Sequence, residues 1–485
     1  MELNELNTLI GTNPAEYVSQ ILKNFKPLFE YEAWKHYDVI FHDVLNKRKR
    51  PDKQIMRPTG DLKPDGTPLT VAALIPVNRI AIPFQKFIVQ TLATFLTGGC
   101  IDLKCTPEGA TEEAMYKAVK KVWTKNKLIF LNNQIAEYMM SETEVAELWF
   151  TDMVKQKQPD GSVKEVAVLK MNILAPSLGY ELQPFWDGIG NLIAFGVKYK
   201  LGQIEHYDLY TDEQLIRHEK INGVWSYAQV DELGNPNIVK LSYGKIPIIY
   251  YSQLKSEWYD VQSMIERLEK MQSNHGDTND YTGSPILFIK GLITGFAAKG
   301  EPGKVLQAEG EADAKYLLPD TAPESMTLEF NNLKAFIHLF SGAPDLSLQS
   351  LKGLGQIPSG AAFERMLIAT YMKVKRRQVG DFGINIQRRN NFIVAALANI
   401  QTELADAADL DVTTDFGLYQ IDDLMDRINA AITANGGKPV ISQEESVDMA
   451  NLTDDADETW QKIQDEQNAI GNVFNSNPNP APSSY

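Results

Sequence analysis

Apolar residues recur at helical intervals from 14 to 44, with Tyr17, Ile21, Phe25, Phe29 and Trp34 near one stripe. A basic run, Lys47-Arg48-Lys49-Arg50, and a polar, turn-rich stretch follow. The next helix is predicted over 80–97, closed by Gly98-Gly99 as a C-cap, and helical rhythm continues through 111–125 and 133–141. After Glu142 the period shortens. Residues 147–150, 163–169, 192–200, 205–210, 215–221 and 225–230 read as strands, with Asp160-Gly161 and Asn222-Gly223 as turns, and 246–251 as the last strand of this mixed region.

Residues 256–272 carry the clearest amphipathic pattern: Trp258, Val261, Ile265, Leu268 and Gln272 alternate three and four apart, and Ser256 suits an N-cap. Residues 274–281 turn polar. Short strands at 285–289, 304–308 and 314–318 follow, in a unit too small to be stable without neighbours. A second helix over 323–341 places Phe330, Leu333, Ile337 and Phe340 on one face, with Pro323 in its first turn. After a glycine-containing loop, 345–358, the longest helical stretch runs from 359 to 402. Unbroken, it would span about 66 Å at about 1.5 Å per residue, and Gly380 and Gly383 are its expected bending points. Further helices are predicted at 422–434 and 454–468, before a tail of disordered composition.

Charge adds an asymmetry. The 485 residues carry 47 Lys and Arg against 63 Asp and Glu, a net of −16, which disfavours a protein that coats DNA by neutralising phosphates. Residues 401–485 hold 17 acids and three bases, a net of −14, and the first 400 residues only −2. Residues 359–400 are +5, either a helix paired with its neighbours or one of two surfaces that sort attraction from repulsion toward nucleic acid. Residues 256–281 are −4, as a surface that does not grip DNA would be. The N-terminus has no apolar core of a secretory signal, and the apolar run 87–97 is too short to span a bilayer. A soluble protein of a reducing compartment is expected.

Candidate chemistry is sparse. His36 and His42 are six apart, which does not put two ligands on one helical face. Cys100 and Cys105 have no metal partners at a recognisable spacing, and GLGQIPSG lacks the Lys-Ser/Thr and the preceding strand of a phosphate loop. No catalytic residue, cofactor or metal site is expected.

Six segments in order carry a resemblance: NRIAIPFQKFIVQTLATFLTGG (78–99), MSETEVAELWF (140–150), YGKIPIIYY (243–251), SEWYDVQSMIERLEKMQSNHGDTNDY (256–281), PDLSLQSLKGLGQIPSGAAFERML (344–367) and RRNNFI (388–393). Together they resemble the portal protein, or head–tail connector, of tailed double-stranded DNA bacteriophages, from about residue 75 to 468. The resemblance implies an α+β, helix-rich chain of portal-type architecture, assembled as a ring around a central channel. Its parts would be a wing (1–255), a first stem helix (256–281), a clip (282–321), a second stem helix (322–343), a tunnel loop (344–358), a long wing helix (359–402), a crown (403–470) and a disordered tail (471–485).

The function so implied is a capsid-vertex channel for DNA packaging and ejection, without catalysis of its own. The implied partners are further copies of the chain (a homododecamer), the terminase large subunit, a head–tail adaptor, major capsid and scaffolding proteins and the passing double-stranded DNA, with no membrane. The implied location is the virion, after assembly in the bacterial cytoplasm. Leu351, Lys352, Leu354 and Gln356 would line the channel, with Lys352 the loop's only base. Trp258, Val261, Ile265, Leu268, Phe330, Leu333 and Ile337 would form the stem interface between subunits, and Lys299, Glu301 and Lys304 the clip contacts. The alternatives are a non-channel virion adaptor and an intracellular enzyme with an unrecognised site.

Overall fold

The computed structural model describes residues 13–99, 101–157, 163–228, 230, 238–282, 286–295, 307–317, 323–347, 367–417, 424–435, 442–450 and 456–475. The chain forms two compact units, residues 1–347 with 368–419, and residues 348–367 with 420–485.

In the larger unit, α1 (Pro14–Asn24) begins at Asn13, whose side chain accepts the Ala15 N–H. The predicted helix over 14–44 ends there, and residues 31–45 form short turns instead. The basic run leads into a hairpin, β1 (Lys53–Leu62) and β2 (Pro68–Ile75), where no strand is predicted. Then come α2 (Phe84–Thr97), β3 (Ile101–Lys104), α3 (Ala110–Lys125) and α4 (Leu128–Glu142).

The predicted strand region is real, and its sheets stack. Strands β4 (Glu144–Lys157) and β5 (Val163–Leu174) form a long hairpin. A meander follows: β6 (Glu181–Trp186), β7 (Leu192–Leu201), β8 (Ile204–Tyr210), β9 (Gln214–Ile221) and β10 (Val224–Tyr227), with β11 (Val239–Lys240) also on β9. Its period-two side chains serve two cores. Ala194, Tyr207 and Leu209 face α1 through Tyr17, Val18 and Ile21. Phe195, Val197 and Tyr210 face the other way, onto Ala146 and Leu174 of the hairpin and Ile248 and Tyr250 of β12 (Ile248–Ser252), which pairs with β4.

Helix α5 (Gln262–Thr282) follows a short 3-10 turn, Tyr259–Val261, and continues through the polar stretch 274–281. Strands β13 (Ile286–Gly295) and β14 (Gln307–Leu317) pair in one hairpin, and α6 (Pro323–Ser341) occupies its predicted span. The long helix is two: α7 (Ile368–Val379) and α8 (Asp381–Ile400) meet at Gly380. Close approach explains the second glycine there, because a Cβ on Gly383 would stand 1.7 Å from the Gln378 carbonyl oxygen. The segment after α8 does not join the acidic end. Strand β15 (Thr413–Phe416) pairs with β3 inside the larger unit, so the acidic region's own unit begins at 420.

In the smaller unit, α9 (Leu424–Asn435), α10 (Gln443–Ala450) and α11 (Ala456–Asn475) are helical. Ser442 and Glu445 cap α10 reciprocally: Ser442 Oγ accepts the Glu445 N–H at 3.0 Å and Glu445 Oε2 the Ser442 N–H at 2.9 Å.

Candidate functional site: two long helices and the faces they leave open

A strap of non-helical chain, residues 76–83, fixes α5. The Ile82 N–H donates to Glu269 Oε1 (2.8 Å), that of Ile80 to Ser273 Oγ (2.9 Å) and that of Asn78 to Asp277 Oδ1 (2.6 Å). Alternate strap residues therefore meet helix residues four apart. Two residues of extended chain advance about 6.6 Å and four residues of helix about 6.0 Å, so the two repeats stay in step. Asn78 Nδ2 adds a bond to Asp280 (2.6 Å). Gly276 permits the approach: a Cβ there would lie 3.2 Å from the Asn78 side chain.

Cations complete the anchor. Arg50 reaches Asp277 (2.9 Å) and Asn274 (2.8 Å), and Arg79 reaches Asp52 (2.7 Å). Of the basic run, Arg50 is thus an internal tie and Lys49 pairs with Asp43 (2.5 Å). At the deep end, His42 Nδ1 lies 2.5 Å from Glu269 Oε1, and its Nε2 lies 2.9 Å from the His36 carbonyl. Both ring nitrogens face acceptors, which suits the protonated ring. Burial opposes that charge, but Glu269 and the His36 carbonyl outweigh it, and the pKa rises above the usual imidazole value. A raised folded-state pKa contributes stability fully below the unfolded value, about 6.5, and loses it as pH rises through the folded value. Urea stability should therefore fall as pH is raised from 6 to 9, and His42→Gln should flatten that part of the profile. An unchanged slope in the variant would detach His42 from it.

The same pairing revises the electrostatic expectation for 256–281. Glu269 and Asp277 are held internally, and Glu257 takes both Lys373 (2.6 Å) and Arg377 (3.0 Å). The −4 is mostly spent inside the chain rather than displayed as a repulsive surface. For the +5 segment, the paired reading holds at Lys373, Arg377 and Arg389.

The stem residues divide in two. Trp258, Val261, Ile265 and Leu268 are buried within the single chain, where α5 packs on the 43–45 turn and on α6 and Tyr37 stacks on Trp258 at 5.7 Å. In the single chain this face is covered by the chain's own elements. On α6, Ile337 is also buried, and Phe330 and Leu333 are half-buried. Arg267 and Glu329 tie α5 to α6 at 2.8 Å, while Lys334 and Asp345 (2.8 Å) and the edges of Phe84 and Phe87 against His338 hold its other end. What stays open is the reverse face. Phe336 (45% exposed), Leu339 (63%) and Phe340 (57%) stand together there, with Leu328 (63%) two turns earlier, so Phe340 does not share the buried face of Ile337 as its spacing predicts. On α7, Ile368, Met372 and Val379 are likewise exposed.

The channel candidates Leu351, Lys352, Leu354 and Gln356 and the clip candidates Lys299, Glu301 and Lys304 lie outside the described residues. Among the described residues no group of three or more His, Cys, Asp or Glu is placed to hold a metal, and no helix is long and apolar enough to cross a membrane.

The site is thus an intramolecular anchor on α5 beside a helix, α6, that keeps several large apolar side chains exposed. Residues 30–472 match the family model described as phage portal protein, SPP1 Gp6-like, and the chain belongs to that family. The family is a structural one, of phage portals and connectors. No curated protein matches the chain. Similar solved structures include the neck of an empty GTA particle computed with C6 symmetry (13% identity, TM-score 0.37, covering 77% of this chain and 91% of that one). The virion of a native gene transfer agent particle is similar at 12% identity and TM-score 0.33, over 76% of this chain and 89% of that one. So is the neck of the native GTA particle computed with C12 symmetry, at 11% identity, TM-score 0.33 and the same coverage.

Proposed function

We propose that copies of this chain close into a ring, usually of twelve, at one capsid vertex, and that double-stranded DNA enters and leaves through its channel. The observation that carries this reading is the set of apolar side chains Leu328, Phe336, Leu339 and Phe340 on α6, left uncovered in a chain of the portal family. Large apolar side chains grouped on an exposed face mark an interaction surface, and a head-to-tail contact of one face with a different one generates a ring when the rotation closes. The ring would work in the virion with a separate terminase, which docks with a head–tail adaptor on the 282–321 segment, and with capsid and scaffolding proteins around it. Negative-stain images of the purified chain test the ring directly, and a monodisperse monomer at micromolar concentration would sink it.

The 344–358 loop is proposed to line the channel. Lys352 would meet phosphates in exchangeable, salt-sensitive contacts, while Leu351, Leu354 and Gln356 touch the duplex without gripping it. Lys352→Glu should leave rings and empty heads intact and reduce packaged DNA several-fold, measured as encapsidated DNA per particle. Full packaging would remove Lys352 from the mechanism.

A further inference from the structure

Strand β5 is an edge strand, since its sheet runs β12-β4-β5. Asn126, just past α3, closes part of that edge. Its Nδ2 donates to the Leu169 carbonyl and its Oδ1 accepts the Met171 N–H, each at 3.0 Å. The amide thus stands where the peptide of a further strand would stand. It also reports which residues face outward. Alternate residues of an antiparallel strand turn N–H and C=O to the same side, and β5 pairs with β4 without a register shift from Val163 to Leu174. Glu165 and Ala167 therefore turn theirs outward, as Leu169 and Met171 do. Among the described residues nothing pairs with them there.

Beside this open stretch is a cavity of about 540 Å³ walled by α3, the β4–β5 hairpin and the end of α8. Val122, Val166, Leu397 and Ile400 give it an apolar lining, and the charged groups around it are Lys121, Lys125, Lys155 and Lys170, with no carboxylate in its wall. Lys170 pairs with Asp152 at 2.5 Å. Lys121, Lys125 and Lys155 are exposed, without an ion-pair partner among the described residues. Glu165 stands across the ladder from Lys155.

We propose that this gap takes an extended acidic segment of another protein, added beside β5 as a fourth strand. Unpaired edges are usually covered or blocked; this one is blocked by an amide at one end and left open where the lysines stand. An added strand would pair the outward groups of Glu165 and Ala167, and its alternate side chains would go to the apolar lining and to the lysines. A helix would leave the edge groups unpaired, so the observations favour the strand.

The test uses the full chain, in whatever oligomeric state it holds, and so is separate from the channel reading. The probe is a short fluorescent peptide alternating valine and glutamate, followed by anisotropy. Binding that weakens with salt is expected, with slowed amide exchange at Glu165 and Ala167. Ala167→Pro removes an outward N–H that the β4 ladder does not use, as edge strands allow, and should weaken binding at least about 10-fold. The exposed pair Lys121→Glu with Lys125→Glu should do the same, and decides the matter if the proline variant loses its near-UV circular dichroism. No binding, equal binding of a valine–lysine peptide, a peptide that turns helical when bound, or unchanged affinity in folded variants would each overturn the proposal.

Discussion

Arg389→Met should destabilise the larger unit by about 3–5 kcal/mol, the usual loss when one partner of a buried ion pair is removed. Arg389 and Glu147 are both fully buried. Arg389 Nε donates to both Glu147 oxygens at 3.0 Å, its second terminal nitrogen also pairs with Glu147, and its first donates to Asn132 Oδ1 at 2.7 Å. Trp149 Nε1 (3.0 Å) and the Tyr251 hydroxyl (2.7 Å) donate to the same carboxylate, and the guanidinium carbon lies over the Trp123 ring, 5.3 Å from its centroid. The cluster joins α8, α4, β4 and β12, so its loss is felt by helices and sheet together. Met fills much of the space and leaves Glu147 as an uncompensated buried charge. Adding Glu147→Leu removes that charge and should recover a large share of the loss. Urea denaturation of the single and double variants checks both, and a double variant no better than the single would mean that packing, not charge, sets the cost.

This cluster also shows how much the chain's order conveyed. RRNNFI is a family-like string whose meaning is internal: Arg389 holds Glu147, and Asn390 accepts from Trp123 and donates to Val412 and Thr414, bringing β15 back to the helix. Nothing in spacing announces partners that lie 242 residues apart. The helices over 84–97 and 110–125 were legible because each keeps one apolar stripe at period 3.6. The β1–β2 hairpin was not, since both its faces are largely exposed and no alternation marks it. The α5 strap was hidden for another reason. Glu269, Ser273 and Asp277 look like a solvated polar face, and only the fold shows that they receive backbone N–H groups.

The amphipathic stripe of 256–272 carried a deeper ambiguity, because periodicity reveals that a face is covered and never by which chain. Two substitutions separate the possibilities. Ile265→Asp places a carboxylate at a position with no exposure in the single chain, where no cation was arranged to receive it, and burial of an unpaired charge costs several kcal/mol. Against a total stability of about 5–15 kcal/mol, the expected result is loss of soluble folded protein, not a folded chain that fails to associate. Leu339→Asp adds the same charge where the side chain is 63% exposed. The single chain should keep its near-UV circular dichroism and thermal midpoint, while rings, if α6 is where neighbours meet, should fall to monomers in sedimentation velocity. A folded, monomeric Ile265→Asp would return the interface to the inner face of α5. Intact rings from Leu339→Asp would move it away from the outer face of α6, and the exposed stripe of Ile368, Met372 and Val379 on α7 would be the next place to put the charge.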